Sequence, residues 1–321
     1  RCAARARPCG LGAMNSAWRA GAARALHAFV HAVRQAVALG LRRRRSARQL
    51  MARRVQAQSL KAAQYILVCC VRNELPRLAA FLDHYRRLGV QHFLIIDNQS
   101  SDGLQDFLHA QPDCSSWVAL GSYKASNFGM DWCNHLLAQH GVGKWCVTVD
   151  PDEFLVFPFC QERGLSGLTR YMEGSGPPSL HTPMVDAYGK YRLSDTHLAA
   201  GVSPFEVCPY FDRFNFTQKF DASLQNWWVQ GGPRMRCFTY RQLHLAPALN
   251  KVALVRWAPG LRYLSSMHHL NDPSFNCTVL NNPQAVSGVL FHFKYVHFLR
   301  AKAEEELQRS EHYADSTEYK A

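Results

Sequence analysis

A chain of 321 residues, 47% hydrophobic and 19% charged, carries the apolar material for one large α/β domain with additions, or for two small domains. Its net charge of +13 is unevenly placed: residues 1–61 hold 14 of the 37 basic residues and no acidic one. The rest carries 23 basic against 24 acidic residues, a balance that excludes a nucleic-acid-binding body by charge.

The first residue is Arg, which reads as a fragment or an over-extended start, with Met14 as the alternative beginning. Trp18, Ala22, Leu26, Phe29, Val30, Val33, Val37 and Leu41 recur at helical spacing, and Arg42 to Arg45 follow. No uncharged apolar run reaches the roughly eighteen residues a membrane span needs. A basic amphipathic helix with an Arg cluster fits adsorption to an anionic membrane surface. Docking on the domain and an organelle-targeting segment are the competing readings. The eleven cysteines contain no Cys-x-x-Cys spacing, which argues against a zinc site and a disulfide framework and for a reducing compartment. A cytoplasmic protein, peripheral on the inner face of the membrane through residues 1–61, is the expected arrangement.

Residues 62–160 read as alternating strands and helices. Tyr65 to Val71 is a continuous apolar run, as a strand buried on both faces should be. A helix follows with Pro76 in its first turn, Leu78, Phe81, Leu82, Tyr85 and Leu88 on its core face, and Gly89 as its stop. His92 to Ile96 is the next strand, then one near Trp117–Leu120, a helix from about Asn127 to Gln139, and a strand ending at Asp150. This alternation predicts a mostly parallel, Rossmann-type sheet flanked by helices. Polar residues gather after strand ends at 72–74, 97–102 and 150–153, the edge where open α/β sheets bind ligands.

The sharpest of these clusters is Asp150-Pro151-Asp152-Glu153. Alternation along an extended backbone predicts Asp150 and Asp152 on one side and Glu153 on the other. Pro151 holds Asp150 extended. Paired carboxylates suit Mg²⁺ or Mn²⁺ shared with phosphate oxygens, whereas a solvated acidic turn is the plain alternative. Asp97 is equally a ribose or base acceptor and the anchor of an Asx-turn. No G-x-G-x-x-G and no P-loop occurs.

Three motifs in order, Arg72-Asn73-Glu74, Asp97-Asn98-Gln99-Ser100-Ser101-Asp102-Gly103 and Asp150-Pro151-Asp152-Glu153-Phe154-Leu155, resemble those of the family 2-type glycosyltransferases. The likeness is to the bacterial branch with an Asp-x-Asp-Glu-Phe metal motif. It implies a GT-A fold in which residues 62–160 bind a nucleotide-diphosphate sugar. Asn73, Glu74 and Asp97 would then face the nucleoside with Ser100 and Asn127 nearby, and Asp150 and Asp152 would hold Mn²⁺ or Mg²⁺ on the diphosphate.

Residues 161–321 form the expected acceptor-binding half. Aromatics thicken from Phe205 to Phe220 and at Trp227-Trp228, as a sugar platform or as plain core. Gly231-Gly232-Pro233-Arg234 presents Arg234 to a diphosphate or an acidic acceptor, or is an Arg-bearing loop. Strands are expected at Leu249–Trp257 and Val289–Tyr295, and a charged helix over 300–312. By the resemblance, His292 completes the metal site, with His268 as its competitor. No Glu-Asp dipeptide follows Asp152, so Asp186 is the expected catalytic base, with Glu206, Asp212 and Asp221 left open. The function expected is metal-dependent transfer of a sugar from a nucleotide-sugar donor to a hydroxyl of a glycan or lipid-linked acceptor. The alternatives are a sugar-nucleotide nucleotidyltransferase and a non-enzymatic membrane-surface or RNA-binding protein.

Overall fold

The computed structural model describes residues 40–42, 44–176, 178–242, 246–276, 285–309 and 311. It divides into two compact units, Arg1–Arg45 and Ser46–Ala321, and the elements below belong to the second. The amphipathic stretch expected from Trp18 lies almost wholly outside the described residues. No helix among the described residues is long and apolar enough to cross a membrane.

The architecture is a large central sheet flanked by helices. Strands β2 (Tyr65–Val71), β3 (His92–Asp97), β4 (Cys114–Ala119) and β5 (Trp145–Thr148) run parallel in the order β4-β3-β2-β5. β2 and β3 expose almost nothing, and their side chains feed one core on each face of the sheet. Helices α1 (Ala57–Ala62), α2 (Leu75–Leu88), α3 (Leu104–His109) and α4 (Met130–His140) connect or cover them. Gly89 adopts φ 102° to end α2, which lets the chain turn straight into β3. β1 (Leu50–Arg54) pairs antiparallel with β4, so the sheet takes in part of the stretch read from sequence as leader.

The second half continues the same sheet. β6 (Glu153–Val156) leads to helix α5 (Cys160–Ser175), which crosses to β7 (Ser179–Tyr188). β7 carries the two-residue β8 (Tyr210–Phe211) on its side. β11 (Asn250–Arg256) pairs antiparallel with both β5 and β7 and so joins the halves. β12 (Val289–Tyr295) lies between β7, to which it is parallel, and β6, to which it is antiparallel. A separate two-stranded sheet, β9 (Phe216–Asp221) with β10 (Asn226–Gly231), leads into the short helix α7 (Gly232–Cys237), after the one-turn α6 (Pro204–Val207). Helix α8 (Leu299–Arg309) ends the described chain apart from Glu311.

Candidate active site

The register of β12 assembles the site. His292 stands opposite Asp186 on β7 and opposite Glu153 on β6, so residues 139 positions apart in sequence become neighbours across three strands. Asp152, one residue before β6, accepts through its carbonyl from the Phe293 amide at 2.8 Å, which ties it to the same strand. The late histidine reaches the acidic motif as a member of the sheet.

Two side chains fix the acidic turn. Glu153 donates its amide to the Asp150 carbonyl at 3.0 Å, while its carboxylate accepts from the Asp150 amide at 3.0 Å. The buried Tyr85 hydroxyl donates to the Glu153 carbonyl at 2.9 Å and accepts from the Leu155 amide at 3.1 Å. The turn closes around Pro151, so the alternation expected over 150–153 fails. Glu153 meets the same cation as Asp150: the buried Lys251 ammonium lies 2.8 Å from Glu153 and 3.4 Å from Asp150.

Around this turn the charges alternate. Glu74 pairs with Arg77 at 2.7 Å, and Arg77 lies 3.5 Å from the Asp152 carboxylate. Asp152 Oδ2 lies 3.3 Å from His292 Nε2, and His292 Nδ1 donates to Asp186 at 2.6 Å. Asp186 in turn accepts from Arg234 Nε at 2.9 Å. Burial disfavours every charged form here, yet for His292, Asp152 and Asp186 the charge of the partners outweighs it. His292 is pushed up to about 9 by Asp152 and Asp186 against burial. Asp152 falls below the usual carboxylate range, because His292 and then Arg77 overcome desolvation. Asp186 is lowered to about 2 by Arg234 and His292, again against burial. Asp150 shifts the other way, upward, through desolvation and the Glu153 charge, with Lys251 opposing. Its side chain is 41% exposed, which makes it the most open carboxylate of the group and tempers that rise.

As donors to a metal these residues offer a pair. Among the described residues no group of three His, Cys, Asp or Glu stands close enough to hold an ion. Asp152 Oδ2 and His292 Nε2 have the spacing of neighbouring donors on one octahedral ion, about 3 Å for bonds of about 2.1 Å. Their orienting contact is also present, since the bond from Nδ1 to Asp186 leaves Nε2 directed at Asp152. The set therefore fits an ion completed by ligand phosphates, not an all-protein cage.

Several expected roles meet a different geometry. Asp186 is 1% exposed and one of its oxygens goes to each of Arg234 and His292, which leaves no face for an acceptor hydroxyl. Arg234 is 5% exposed and turned inward to Asp186. Asp97 accepts from the Ser100 amide at 2.7 Å and from Gln105 at 2.6 Å, the Asx-turn alternative. Ser100 Oγ accepts from the Asn73 amide, and Asn73 Oδ1 from the Ser101 amide, so these residues knit the 72–75 and 97–102 loops together. Asn127, at φ 55°, gives its side-chain amide to the Leu264 carbonyl. Glu74 is buried between Arg77 and Lys302. His268 donates from Nδ1 to the Asn250 carbonyl at 2.6 Å, and burial lowers it to about 3. Asp212 is held by Arg236 and Tyr188, Asp221 accepts from its own turn at Ser223, and Glu206 lines a separate cavity beside His84.

Sequence reading passed over Arg77 and Lys251 and turned Glu153 to the wrong side. Both cations had a signal. Arg77 shares a helical stripe with Phe81 and Tyr85, and Lys251 sits inside an apolar strand; a cation in either place implies a buried carboxylate partner.

Beside the cluster, at the ends of β2, β3 and β4, a cavity of about 390 Å³ is lined by Arg72, Gln99, Leu120, Ser122, Tyr123 and Arg309, among others. Three strand spacings of about 4.8 Å separate β4 from β5.

No family model matches this chain, and no curated protein does. Among the solved structures with a distant likeness are two enzymes. One is 4-diphosphocytidyl-2C-methyl-D-erythritol synthase, 16% identical over 44% of this chain and 68% of that one, with a TM-score of 0.27. The other is UDP-glucose pyrophosphorylase from Acinetobacter baumanii, 12% identical over 80% and 97%, with a TM-score of 0.34.

Proposed function

We propose that this chain is a transferase acting on a nucleotide-diphosphate sugar, and that the group it moves is the sugar, delivered to a hydroxyl of a glycan or lipid-linked acceptor. The observation that carries this reading is the Asp152–His292 donor pair at 3.3 Å, at the carboxyl edge of a sheet whose neighbouring strand ends frame a cavity. Asp152 and His292 would hold Mn²⁺ or Mg²⁺, which when bound neutralises charge on the leaving diphosphate. Asp186 and Arg234 serve in this scheme by orienting His292. Asp150 and Glu153 are the remaining carboxylates of the motif, both against Lys251, and Asp150 is the more open to solvent. The acceptor side falls to the β9–β10 ribbon and the loop before it, where Phe214, Phe216 and Trp228 are exposed and Gly232 adjoins Asp186.

Titration calorimetry with uridine and guanosine diphosphates tests it, with and without Mn²⁺. Asp152→Asn keeps the shape and removes the charge, and should abolish the Mn²⁺-dependent part of binding. Unchanged Mn²⁺-dependent binding refutes the assignment. Nucleotidyl transfer is the second reading, because the same carboxylates and ion serve it. The residues Val71 to Leu78 contain no glycine for a triphosphate loop, which favours glycosyl transfer. The two solved structures are a synthase and a pyrophosphorylase, and at their TM-scores they decide neither reading. Release of nucleoside diphosphate marks glycosyl transfer; release of inorganic pyrophosphate from a nucleoside triphosphate marks the other. For the basic leader we propose adsorption to anionic membrane. Full-length chain should sediment with phosphatidylserine vesicles at low salt and be released at high salt, and partitioning equal to that of a chain lacking residues 1–45 refutes it.

A further inference from the structure

Helix α8 lies across the strand ends with an unusual means of attachment. Its sequence, LRAKAEEELQR, places only Glu306 among the buried residues, so it brings almost no apolar face to the domain. Polar contacts hold it instead, and they fall on one helical face. Lys302 pairs with Glu74, and one turn later Glu305 receives Arg72 Nε at 2.7 Å and the Asn73 side-chain amide at 3.2 Å to each carboxylate oxygen. Arg309, a further turn on, lines the cavity with Arg72. Glu311 accepts from Ser122 Oγ and from the Lys124 amide, both at 2.7 Å, on the far side of the same cavity. The segment thus crosses from the end of β2 to the end of β4.

We propose that Arg72 and Asn73 form an oxyanion seat for a phosphate group of the nucleotide, and that Glu305 is its resting occupant, displaced when the ligand binds. This deepens the reading above and rests on it for the ligand's identity. The seat has the chemistry for a phosphate: a guanidinium edge and a carboxamide N–H₂ converge on one anionic group. Arg72 is itself fixed by donating to the Asn98 and Gln99 carbonyls at 2.7 and 2.8 Å, so the fork is preset. The occupant is held where exchange is cheap. Arg72 and Glu305 are 25% and 29% exposed, and partly solvated ion pairs contribute little net stability. The Glu305 contact, more solvated than the Lys302–Glu74 pair one turn earlier, is the anchor that gives way to a ligand carrying more charge.

The test measures binding of uridine diphosphate, guanosine diphosphate and inorganic pyrophosphate, with Mg²⁺, to the full chain and its variants. Removing the internal competitor raises the competent fraction, so Glu305→Gln should bind about tenfold more tightly. Glu304→Gln, on the exposed side against Arg300, should match wild type. Adding Arg72→Met to Glu305→Gln should erase the gain, because the seat itself is lost. Amide exchange over residues 299–309 of wild type should rise when ligand is added. Equal or weaker binding by Glu305→Gln overturns the proposal, since the helix is then an inert tie or part of the binding surface. Pyrophosphate binding enhanced by Glu305→Gln with no nucleoside diphosphate bound keeps the seat and refutes the nucleotide reading. Nucleoside diphosphate binding indifferent to Glu305→Gln keeps that reading and refutes the seat. Binding of none of the three by any variant refutes both.

Discussion

Replacing Arg77 by Met should be among the most destabilising single changes in the domain. The guanidinium is 3% exposed, with Glu74 at 2.7 Å and the Asp152 carboxylate at 3.5 Å. It also donates to the Phe293 carbonyl at 3.1 Å and lies over the Phe298 ring at 4.6 Å. Removing one partner of a buried pair leaves a buried charge uncompensated, typically at about 3–5 kcal/mol. Two features pull the cost toward the low end: Glu74 keeps Lys302, and Asp152 keeps His292 and is 18% exposed. The lost ring contact adds about 0.5–2 kcal/mol. About 3–4 kcal/mol is expected for Arg77→Met by urea denaturation. Arg77→Lys keeps the charge but loses the planar fork, and should cost roughly half as much. A double cycle with Glu74→Gln should then show coupling of at least about 1 kcal/mol. A loss below about 1 kcal/mol for Arg77→Met would show that the carboxylates need no compensation, and the charge-alternation account would fall.

Two further expectations follow from the folded structure. Burial lowers His84, His92 and His181 each to about 4 from an ordinary 6.5. The unfolded chain therefore takes up these protons first, so the contribution of these three histidines is full above about pH 6.5 and declines toward pH 4. Each histidine contributes up to about 1.4 kcal/mol per pH unit. Melting temperatures at pH 7 and 5 check this, and a flat profile contradicts it; His92→Gln should shallow the slope. Gly231 has φ 153°, and a Cβ there would lie 2.3 Å from the Asn215 carbonyl oxygen, so Gly231→Ala should cost about 2–3 kcal/mol or more. Gly143, at φ 80° with open space around it, is the comparison: Gly143→Ala meets only backbone strain of about 1–2 kcal/mol. Equal losses at the two positions would mean that the close approach at Gly231 is not rigid.

The fold was legible where one element's own pattern decides it. Tyr65–Val71 and Val289–Tyr295 are strands at the residues where the apolar runs begin and end, and α2 stops where Gly89 supplies the left-handed turn. The α/β layering followed from alternation alone. What could not be read locally was partnership. β7 contains Pro183 and Asp186 and alternates buried with half-buried positions, and nothing in that pattern says that it lies between β11 and β12. The crossing of β11 against β5, which fuses the halves into one sheet, is a long-range choice made by packing. Residues 161–321 looked weakly periodic for the same reason: their strands are mixed in direction and separated by long loops.

The site divides along similar lines. An acidic motif at a strand end is visible as a string, and His292 stood out as a polar residue in an apolar strand. Direction was not visible. Asp186, Arg234 and Asp97 are the residue types an active site uses, but their charges are spent on one another or on a turn. The clustered charges explain why. Glu74, Asp150, Asp152, Glu153 and Asp186 face Arg77, Arg234, Lys251, Lys302 and a protonated His292, five of each sign. Such a set folds without any ion, since every buried charge has a partner. It also gives a bare divalent cation little surplus negative charge to bind. On the proposed reading, a bound diphosphate would supply the charge the set lacks, and His292 would give up its Nε2 proton to serve as a donor. Residue types and spacing mark a place for chemistry, whereas the balance of buried charge decides which side chains remain available to perform it.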